Sequence, residues 1–463
     1  MFKKEIYKNR RVILQKNIKS GLILLMGNEE TGMNYKDNTF RFRQDSTFLY
    51  YLGIDIPHVA AVIDVDENKT ILFGNDLSIE YVVWMGPQPT MSEQAAKTSA
   101  EETRPYNDLK EYLEEAKSKG RDIHFLPPYR TENMLQLEDW LEIPVKQLQN
   151  KVSADLIKAV VAQREIKTRE EIIEMEVALA ITKQMHVACM RSAKVGRLES
   201  ELTGIAHGIA VGGGGDLAYP IILTINGQTL HNHYHGNTLQ NGQLVLGDFG
   251  AESGMHYAGD ITRTFPVNQT FTTKQKEIYQ IVLDTENTAI QSLKPGITYK
   301  EIHLNSAKQM AEGLKSLGIM KGDIEEAVAV GAHGLFFPHG LGHQIGLDVH
   351  DMEDLGEKYV GYREGIERST QFGLKSLRLA KELKEGMVLT VEPGLYFIPE
   401  LIDMWQKDKK FSEFINYEKV NEYRNFSGVR IEDNCLITSE GSQVLGPPIP
   451  KTIEEVENER NNN

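Results

Sequence analysis

Two stretches decide the fold of the second half of the chain: Leu244-Val245-Leu246-Gly247-Asp248-Phe249-Gly250 and Ala258-Gly259-Asp260-Ile261-Thr262-Arg263-Thr264. Alternate residues of a strand share one face, so the first stretch predicts an apolar strand face that ends in the carboxylate of Asp248. The residues between the two stretches include Glu252-Ser253-Gly254-Met255, which predicts a turn. A turn centred on Gly254 would place Asp248 directly opposite Asp260, with their Cβ atoms roughly 5 Å apart. Two anions so close need compensation, either by a metal ion or by protonation of one of them.

A glycine-rich segment supplies histidines further along the chain, in His339-Gly340-Leu341-Gly342-His343 and Gly346-Leu347-Asp348-Val349-His350. Three histidines in so short a segment are unusual for a buried core. The spacing is not that of the His-Glu-x-x-His helix, so it does not indicate a single-zinc peptidase of that class. Taken alone, this clustering of histidines is equally consistent with a functional site and with coincidence.

Two more carboxylates follow apolar strand patterns. Glu392 comes at the end of Met387-Val388-Leu389-Thr390-Val391, before Pro393, which stops strand pairing. Glu432 follows Val429-Arg430-Ile431, and because it shares a strand face with Arg430, a plain salt bridge between them is an alternative. Together with the two aspartates and a histidine, these residues form an oxygen-rich set that favours Mn(II), Co(II) or Zn(II). Two such ions about 3.5–4 Å apart would activate water and polarise a carbonyl group.

Length and composition narrow the class of protein. The 463 residues are enough for two or three domains, and 40% of them are hydrophobic, as in an ordinary globular protein. The formal net charge of −15 disfavours nucleic-acid binding. No apolar run is long enough for a membrane span, and the first one, at residues 22–26, does not fit a secretory signal. The two cysteines, Cys189 and Cys435, are far apart, so we expect a reducing, cytoplasmic setting.

The pattern along the chain predicts two domains. Apolar runs at residues 48–52, 59–63 and 70–73 predict strands of a first α/β domain. A helical stretch over residues 154–193, interrupted near Lys167, places the domain boundary near residue 155. The buried-looking His186 in this stretch is interpreted as packing.

Further helices are predicted in the second half of the chain, over residues 274–293 and 299–317. The second of these begins with Thr298 and Glu301, a capping-box pattern. The run Gly212-Gly213-Gly214-Gly215 is interpreted as a loop rather than a phosphate site. The charged tail from Thr452 onward is expected to fray.

The order Asp248, Asp260, His343, Glu392, Glu432 resembles the ligand set of the pita-bread metallopeptidases, the family of methionine aminopeptidase, aminopeptidase P and prolidase. Residues 259–266 and 42–48 resemble its proline-directed branch, and residues 373–378 and 426–432 are most similar to eukaryotic-type prolidases. The resemblance implies an α+β fold. A pita-bread (creatinase/aminopeptidase-like) catalytic domain at residues 156–463 would follow a smaller α/β domain of the aminopeptidase P N-terminal type at residues 1–155.

The resemblance also implies roles for individual residues. Asp248, Asp260, His343, Glu392 and Glu432 would hold two divalent metal ions, Mn(II) in the first place, with Co(II) or Zn(II) as alternatives. Glu392 would also move the proton of the attacking water, while His339 and His350 would steady the substrate carbonyl. His231 would line the proline pocket, and Arg378 would bind the free carboxylate of a dipeptide. Arg430 would orient Glu432 or meet the substrate, with Tyr396 as a weaker candidate.

The function implied is hydrolysis of Xaa-Pro bonds, in dipeptides or short peptides, by a homodimer that binds neither nucleic acid nor membrane. The favoured activity is that of an Xaa-Pro dipeptidase, and the alternative is an Xaa-Pro aminopeptidase acting on longer peptides. A non-enzymatic binding module and a metal-independent creatinase-like hydrolase are more distant alternatives. Arg378 could also be a surface arginine near Lys375 and Lys381. The extra histidines in His231-Asn232-His233-Tyr234-His235 depart from the family pattern, so the resemblance does not settle which residues form the pocket wall.

Overall fold

The computed structural model describes residues 1–363 and 365–462. The chain forms two compact units, Met1–Arg164 with Met352–Tyr359, and Glu165–Asp351 with Val360–Asn463. The domain boundary at residues 155 and 156 stays a prediction. Among the described residues, no helix is long and apolar enough to cross a membrane.

The first unit is built on a mixed sheet in the strand order β4-β3-β2-β1-β5. Strand β1 is antiparallel to β2 and parallel to β5, and β3 is antiparallel to β2 and parallel to β4. The strands are β1 Leu22–Met26, β2 Ala60–Asp64, β3 Lys69–Phe73, β4 Glu102–Arg104 and β5 Ile123–His124. The helices are α1 Lys4–Asn17, α2 Ser46–Leu52, α3 Ile79–Met85, α4 Met91–Thr98, α5 Asp108–Ser118, α6 Thr131–Leu141, α7 Val145–Leu148 and α8 Ala154–Arg164.

The apolar run at residues 48–52 is a helix, so its prediction as a strand was wrong. Helix α2 begins where the Asp45 carboxylate accepts a hydrogen bond from the Phe48 backbone N–H, and it ends at Gly53, whose φ is +65°. Every residue of the helix is buried. A short segment buried on all sides shows no helical periodicity, which is why its sequence could not be distinguished from a buried strand.

The predicted helical stretch over residues 154–193 is observed as the two helices α8 and α9. The interruption near Lys167 separates α8 from α9, and the predicted capping box of Thr298 and Glu301 begins α12. The remaining helices are α9 Arg169–Ser192, α10 Glu199–Gly212, α11 Thr273–Ser292, α12 Tyr299–Ser316, α13 Ile324–Val330, α14 Glu357–Val360, α15 Pro399–Lys407, α16 Tyr417–Asn421 and α17 Ile453–Asn461.

The strands of the second unit pair antiparallel, in the orders β10-β8-β7, β11-β14-β15, β12-β13 and β6-β9. Their inward faces and the long helices share one apolar core. The strands are β6 Asp216–Leu217, β7 Ile222–Thr224, β8 Leu244–Asp248, β9 Ala251–Glu252, β10 Thr262–Pro266, β11 Val388–Val391, β12 Gly394–Tyr396, β13 Gly428–Arg430, β14 Asp433–Ile437 and β15 Ser442–Val444.

The predicted hairpin exists, but its register differs from the prediction. Asp248 is paired with Thr262, and the bridge between Glu252 and Ala258 centres the turn on Met255 rather than Gly254. Asp260 is therefore opposite Gly250. A Cβ on Gly250 would lie only 1.8 Å from the carbonyl oxygen of Gly259, so only glycine lets the two chains approach here. The aspartates consequently face each other diagonally across the hairpin, two positions out of register.

The C-terminal tail is ordered, which contradicts the expectation that it frays. Helix α17 begins with a capping box between Thr452 and Glu455. Near its end, the buried Arg460 guanidinium donates hydrogen bonds to backbone carbonyls that include those of Ala193 and Pro266. Burial lowers the pKa of Arg460 to about 10. The capping-box pattern is visible in the sequence, whereas the carbonyls that bind the guanidinium are distant in the chain.

Candidate metal centre

All of the predicted site residues line a single cavity of about 390 Å³ in the second unit. They come from the hairpin, from the segment between β7 and β8, from the long segment before β11, and from the residues that follow β11 and β13. They are His231, Asp248, Asp260, His339, His343, His350, Arg378, Glu392, Arg430 and Glu432. The structure therefore brings together residues that span about two hundred positions of the sequence.

The diagonal pair of aspartates is joined by a tyrosine hydroxyl. Tyr219 donates to Asp248 Oδ1 over 2.6 Å and also contacts Asp260 Oδ1. Asn434 fixes the backbone of Asp260, because its side-chain oxygen accepts from the Asp260 N–H at 3.1 Å and its amide donates to the Asp260 carbonyl at 2.6 Å. The two carboxylates are thus held in place by neighbours that the sequence prediction did not include.

His343 and Glu392 are positioned by strand β11. The loop before it runs alongside the strand, since the backbone N–H of Thr390 donates to the His343 carbonyl and that of Glu392 to the Leu341 carbonyl. This approach requires Gly342, where a Cβ would lie 2.2 Å from the Thr390 carbonyl oxygen. His343 Nε2 lies 3.3 Å from Asp260 Oδ2 and 3.7 Å from Glu392 Oε1. His343 Nδ1 faces the Gln344 carbonyl at 3.0 Å and donates to it, so Nε2 faces the carboxylates, where it donates a proton to Asp260 or, once deprotonated, can bind a metal.

Glu432 completes the group from the turn between β13 and β14. Its Oε2 accepts a 2.6 Å hydrogen bond from the Thr262 hydroxyl, whereas its buried Oε1 has no hydrogen-bond partner among the described residues. Ligand atoms of Asp260, His343 and Glu432 all lie within 4.8 Å of one another. Arg430 does not pair with Glu432 directly; its ion pair is with Asp248, and it reaches Glu432 only through Thr262.

Burial and mutual repulsion raise the pKa of three of the carboxylates, Glu392, Glu432 and Asp248. Burial raises the pKa of Glu392 to about 7, since the nearby charges of Asp260 and Asp248 oppose the lowering by His343 and Arg430. Burial and the neighbouring carboxylates raise the pKa of Glu432 well above its ordinary value. The pKa of Asp248 is also raised by burial, against the effect of Arg430. Burial alone would lower the pKa of His343, but its hydrogen bond to Asp260 and the negative charges raise it.

These observations fit a metal ion. Four carboxylates, two buried and two partly buried, lie beside one guanidinium, Glu432 Oε1 has no hydrogen-bond partner among the described residues, and His343 Nε2 faces Asp260. The clustered anions are stable at neutral pH only with cationic compensation. Oxygen ligands with one imidazole suit divalent ions such as Mn(II), Co(II) and Zn(II).

A hydrogen-bonded chain leads from the metal centre to His339. The Arg430 guanidinium donates to the Tyr396 hydroxyl over 2.7 Å, and that hydroxyl lies 2.9 Å from His339 Nε2. His339 Nδ1 lies 2.8 Å from the Gly340 carbonyl, so it is the protonated nitrogen, and Nε2 accepts from Tyr396. Burial, reinforced by the charge of Arg430, lowers the pKa of His339 to about 3, and the ring is neutral.

The other predicted residues lie around this centre. The His350 ring is 4.3 Å from the His343 ring and edge-on to it. His231 and Arg378 line the same cavity, together with the apolar side chains of Ile222 and Leu230. His186, in contrast, lies flat against Phe249 at 4.0 Å between ring centres and does not line the cavity, in agreement with its interpretation as packing.

Sequence reasoning missed Tyr219, Thr262 and Asn434. Thr262 carried a usable signal, because it is two residues after Asp260 and so shares its strand face. Asn434 stands in the same relation to Glu432. Tyr219 gave no such signal, since it precedes the hairpin by a long loop and reaches the aspartates only in the folded chain.

Comparison with known proteins identifies the family. Residues 174–439 match the model of metallopeptidase family M24, which is more than half of the chain. The chain belongs to metallopeptidase family M24. Residues 7–124 match the aminopeptidase P N-terminal domain. This member of the M24 family therefore has the predicted pita-bread fold with its preceding α/β domain, and the prediction of an enzyme is confirmed at the level of a metallopeptidase.

Relatives carry two different names. Human Xaa-Pro dipeptidase is 33% identical over 446 residues, covering 94% of this chain and 88% of the relative. A probable Xaa-Pro aminopeptidase of Sordaria macrospora is 32% identical over 444 residues, covering 95% and 91%. Among solved structures, zinc-substituted Escherichia coli aminopeptidase P in complex with product has a TM-score of 0.80 and 29% identity, covering 99% of this chain and 98% of that one. This M24 member is thus about equally similar to relatives of both names.

The raised carboxylate pKa values predict that metal stabilises the protein more at neutral than at acidic pH. A carboxyl group with a higher pKa in the folded chain binds more protons when folded, so its contribution to stability falls as pH rises from 4.5 to about 7. Mn(II) must displace these protons, which becomes easier over the same range. We expect Mn(II) to raise the Tm of metal-free protein more at about pH 7.5 than at about pH 5.5. Differential scanning fluorimetry measures this, and a larger rise at the acidic pH would contradict it.

Proposed function

We propose that the chain hydrolyses the peptide bond before proline and prefers Xaa-Pro dipeptides to longer peptides. Support for the bond comes from the relatives, whose names include both Xaa-Pro dipeptidase and Xaa-Pro aminopeptidase. Support for the dipeptide preference is the position of Arg378, which lines the same cavity as the carboxylate–histidine centre. A guanidinium in this cavity suits the free carboxylate of a two-residue substrate.

The proposed metal ligands are Asp248, Asp260, His343, Glu392 and Glu432. When bound, two divalent ions would supply an activated water and polarise the carbonyl before proline. Mn(II) is the proposed ion, with Co(II) and Zn(II) as alternatives that the same donors accept. Glu392 is proposed to take the proton of the water and pass it to the proline nitrogen, because its pKa of about 7 suits a group that both accepts and returns a proton.

Residues around the centre are proposed to hold the substrate. His350, beside His343, would donate to the carbonyl oxygen and its developing charge. His339 is already hydrogen-bonded to the Tyr396 hydroxyl and the Gly340 carbonyl, so its ring is fixed. From this fixed position its ring would contact and stabilise the substrate carbonyl. His231, with Ile222 and Leu230 on the same cavity wall, would form the pocket for the proline ring. Arg430 holds Asp248 directly and Glu432 through Thr262.

A comparison of substrate lengths tests this proposal. With Mn(II) present, we expect kcat/KM to be higher for Ala-Pro than for Ala-Pro-Ala and for longer peptides. Arg378→Ala should lower kcat/KM for Ala-Pro by roughly tenfold to a hundredfold, the usual worth of a hydrogen bond to a charged group. It should have little effect on a dipeptide amide.

The matched control is Arg363→Ala, which removes an exposed arginine paired with Glu382 outside the cavity. Its kcat/KM values should equal those of the unmodified protein. Equal or faster hydrolysis of the longer peptides by the unmodified protein would instead support the Xaa-Pro aminopeptidase alternative. Protein that holds no Mn(II), Co(II) or Zn(II) would support the binding-module alternative.

The homodimer implied by the sequence resemblance is likewise a proposal. Helix α3 in the first unit offers an apolar surface for it, with Ile79, Val83 and Trp84 more than three-quarters exposed. Exposed apolar side chains clustered in this way are rare on the surface of a monomer. Light scattering tests the proposal, and the expected mass is twice that of the 52.3 kDa chain.

A further inference from the structure

His233 lines the cavity, although neither the family pattern nor the proposed mechanism uses it. The segment that carries it is fixed by its neighbours. Asn232 donates to the Thr224 hydroxyl of β7 at 3.0 Å and accepts from the Tyr234 backbone N–H at 3.0 Å. His235 Nδ1 lies 3.2 Å from the Leu223 carbonyl. These contacts attach the segment to β7, which pairs with the strand that ends in Asp248. The side chains of His231 and His233, on either side of Asn232, line the cavity.

The charged groups around His231 are mostly cationic. Burial lowers the pKa of His231, and the charges of Arg430, Arg378 and His233 lower it further, while Asp248, which is ion-paired with Arg430, acts in the opposite direction. His231 therefore lies close enough to Arg378 and to His233 to interact with both. All three line the same cavity, whose four carboxylates are grouped at the metal centre. The part of the cavity around His231 is thus suited to an anion, and the metal centre to the scissile bond.

We propose that His233 binds the C-terminal carboxylate of the substrate together with Arg378, and so contributes to the selection of dipeptides. This inference rests on the proposed function. An imidazole donates one N–H hydrogen bond when neutral and two when protonated, so it can contact a carboxylate in either state. A free carboxylate two residues from the amino terminus would then meet both a guanidinium and an imidazole, whereas a longer peptide would place an uncharged amide there.

The test compares His233→Gln and His233→Lys with the unmodified protein, using Ala-Pro, Ala-Pro-amide and Glu-Pro. The measured quantity is kcat/KM for Ala-Pro divided by kcat/KM for the amide. We expect His233→Gln to lower this ratio about threefold, the size of a partly exposed charged contact. We expect His233→Lys, which keeps a cationic donor, to restore the ratio. A purely structural role for His233 would affect both substrates alike and would not be rescued by lysine.

The matched control is His207→Gln, which changes an exposed histidine on α10 that lies outside the cavity and should leave the ratio unchanged. Glu-Pro distinguishes the two possible sources of a carboxylate. A loss confined to Glu-Pro would show that His233 contacts the side chain of the first residue and would overturn the inference. An unchanged ratio in His233→Gln, with Ala-Pro still cleaved by the unmodified protein, would overturn this inference alone. Failure of the unmodified protein to cleave Ala-Pro would overturn the proposed function as well.

Discussion

Asp260→Asn is expected to abolish metal binding and to lower kcat/KM for Ala-Pro by roughly a thousandfold or more. The Asp260 carboxylate lies 3.3 Å from His343 Nε2, and its ligand atom is within 4.8 Å of those of His343 and Glu432. Asparagine keeps the shape of the side chain but removes its negative charge and half of its acceptor capacity. The backbone contacts with Asn434 do not involve the substituted group, so the fold should be retained.

Two measurements on the same protein preparation check this result: metal content by mass spectrometry after dialysis against Mn(II), and hydrolysis of Ala-Pro. Asp284→Asn is a matched control, since Asp284 is an exposed aspartate on α11 bonded to Gln280 and remote from the cavity. Its metal content and activity should be unchanged. A fully metal-loaded Asp260→Asn protein with activity within about tenfold of the unmodified protein would refute a ligand role for Asp260.

The parts of the fold that could be predicted from sequence are those with long, regular patterns. Helices α11 and α12 end within one residue of their predicted ends, because each shows many turns of helical periodicity and α12 has a capping box. Helix α2 was misassigned because it is short and buried on all sides. Helix α17 was missed although Thr452 and Glu455 form a capping-box pattern, because the carbonyl groups to which Arg460 donates come from distant parts of the chain.

The candidate site shows the same limit at the level of single residues. The hairpin followed from the local pattern, but its register was two positions off because the turn centre was placed one residue early, at Gly254 instead of Met255. The aspartates meet nevertheless, since both side chains remain on the same face when the register changes by two. The Tyr219 contact, which joins them, depends on the path of a long loop and is not encoded in any local spacing.

Glu392→Gln is expected to lower kcat by about a hundredfold to ten-thousandfold while leaving KM nearly unchanged. Glutamine retains an oxygen that can face the metal centre, but it cannot accept a proton. The unmodified side chain is suited to proton transfer because burial and nearby carboxylates raise its pKa to about 7. Its location at the end of β11, fixed by the hydrogen bond from its backbone N–H to the Leu341 carbonyl, does not depend on the carboxylate itself.

Metal content separates this variant from Asp260→Asn. We expect Glu392→Gln to retain at least part of its Mn(II), because Asp260, His343 and Glu432 keep their grouping, so its loss of kcat would reflect the missing proton acceptor. Glu454→Gln, an exposed substitution in the first turn of α17, is the control for a change of charge alone.

Complete loss of metal from Glu392→Gln would show that Glu392 acts chiefly as a ligand. Retained metal with kcat within about tenfold of the unmodified protein would mean that another group carries the proton. His343 could not be that group while its Nε2 lone pair serves the metal. Burial keeps His339 neutral, and its Nε2 already accepts a hydrogen bond from Tyr396. Glu392, whose pKa is raised to about 7, is the acceptor that we propose.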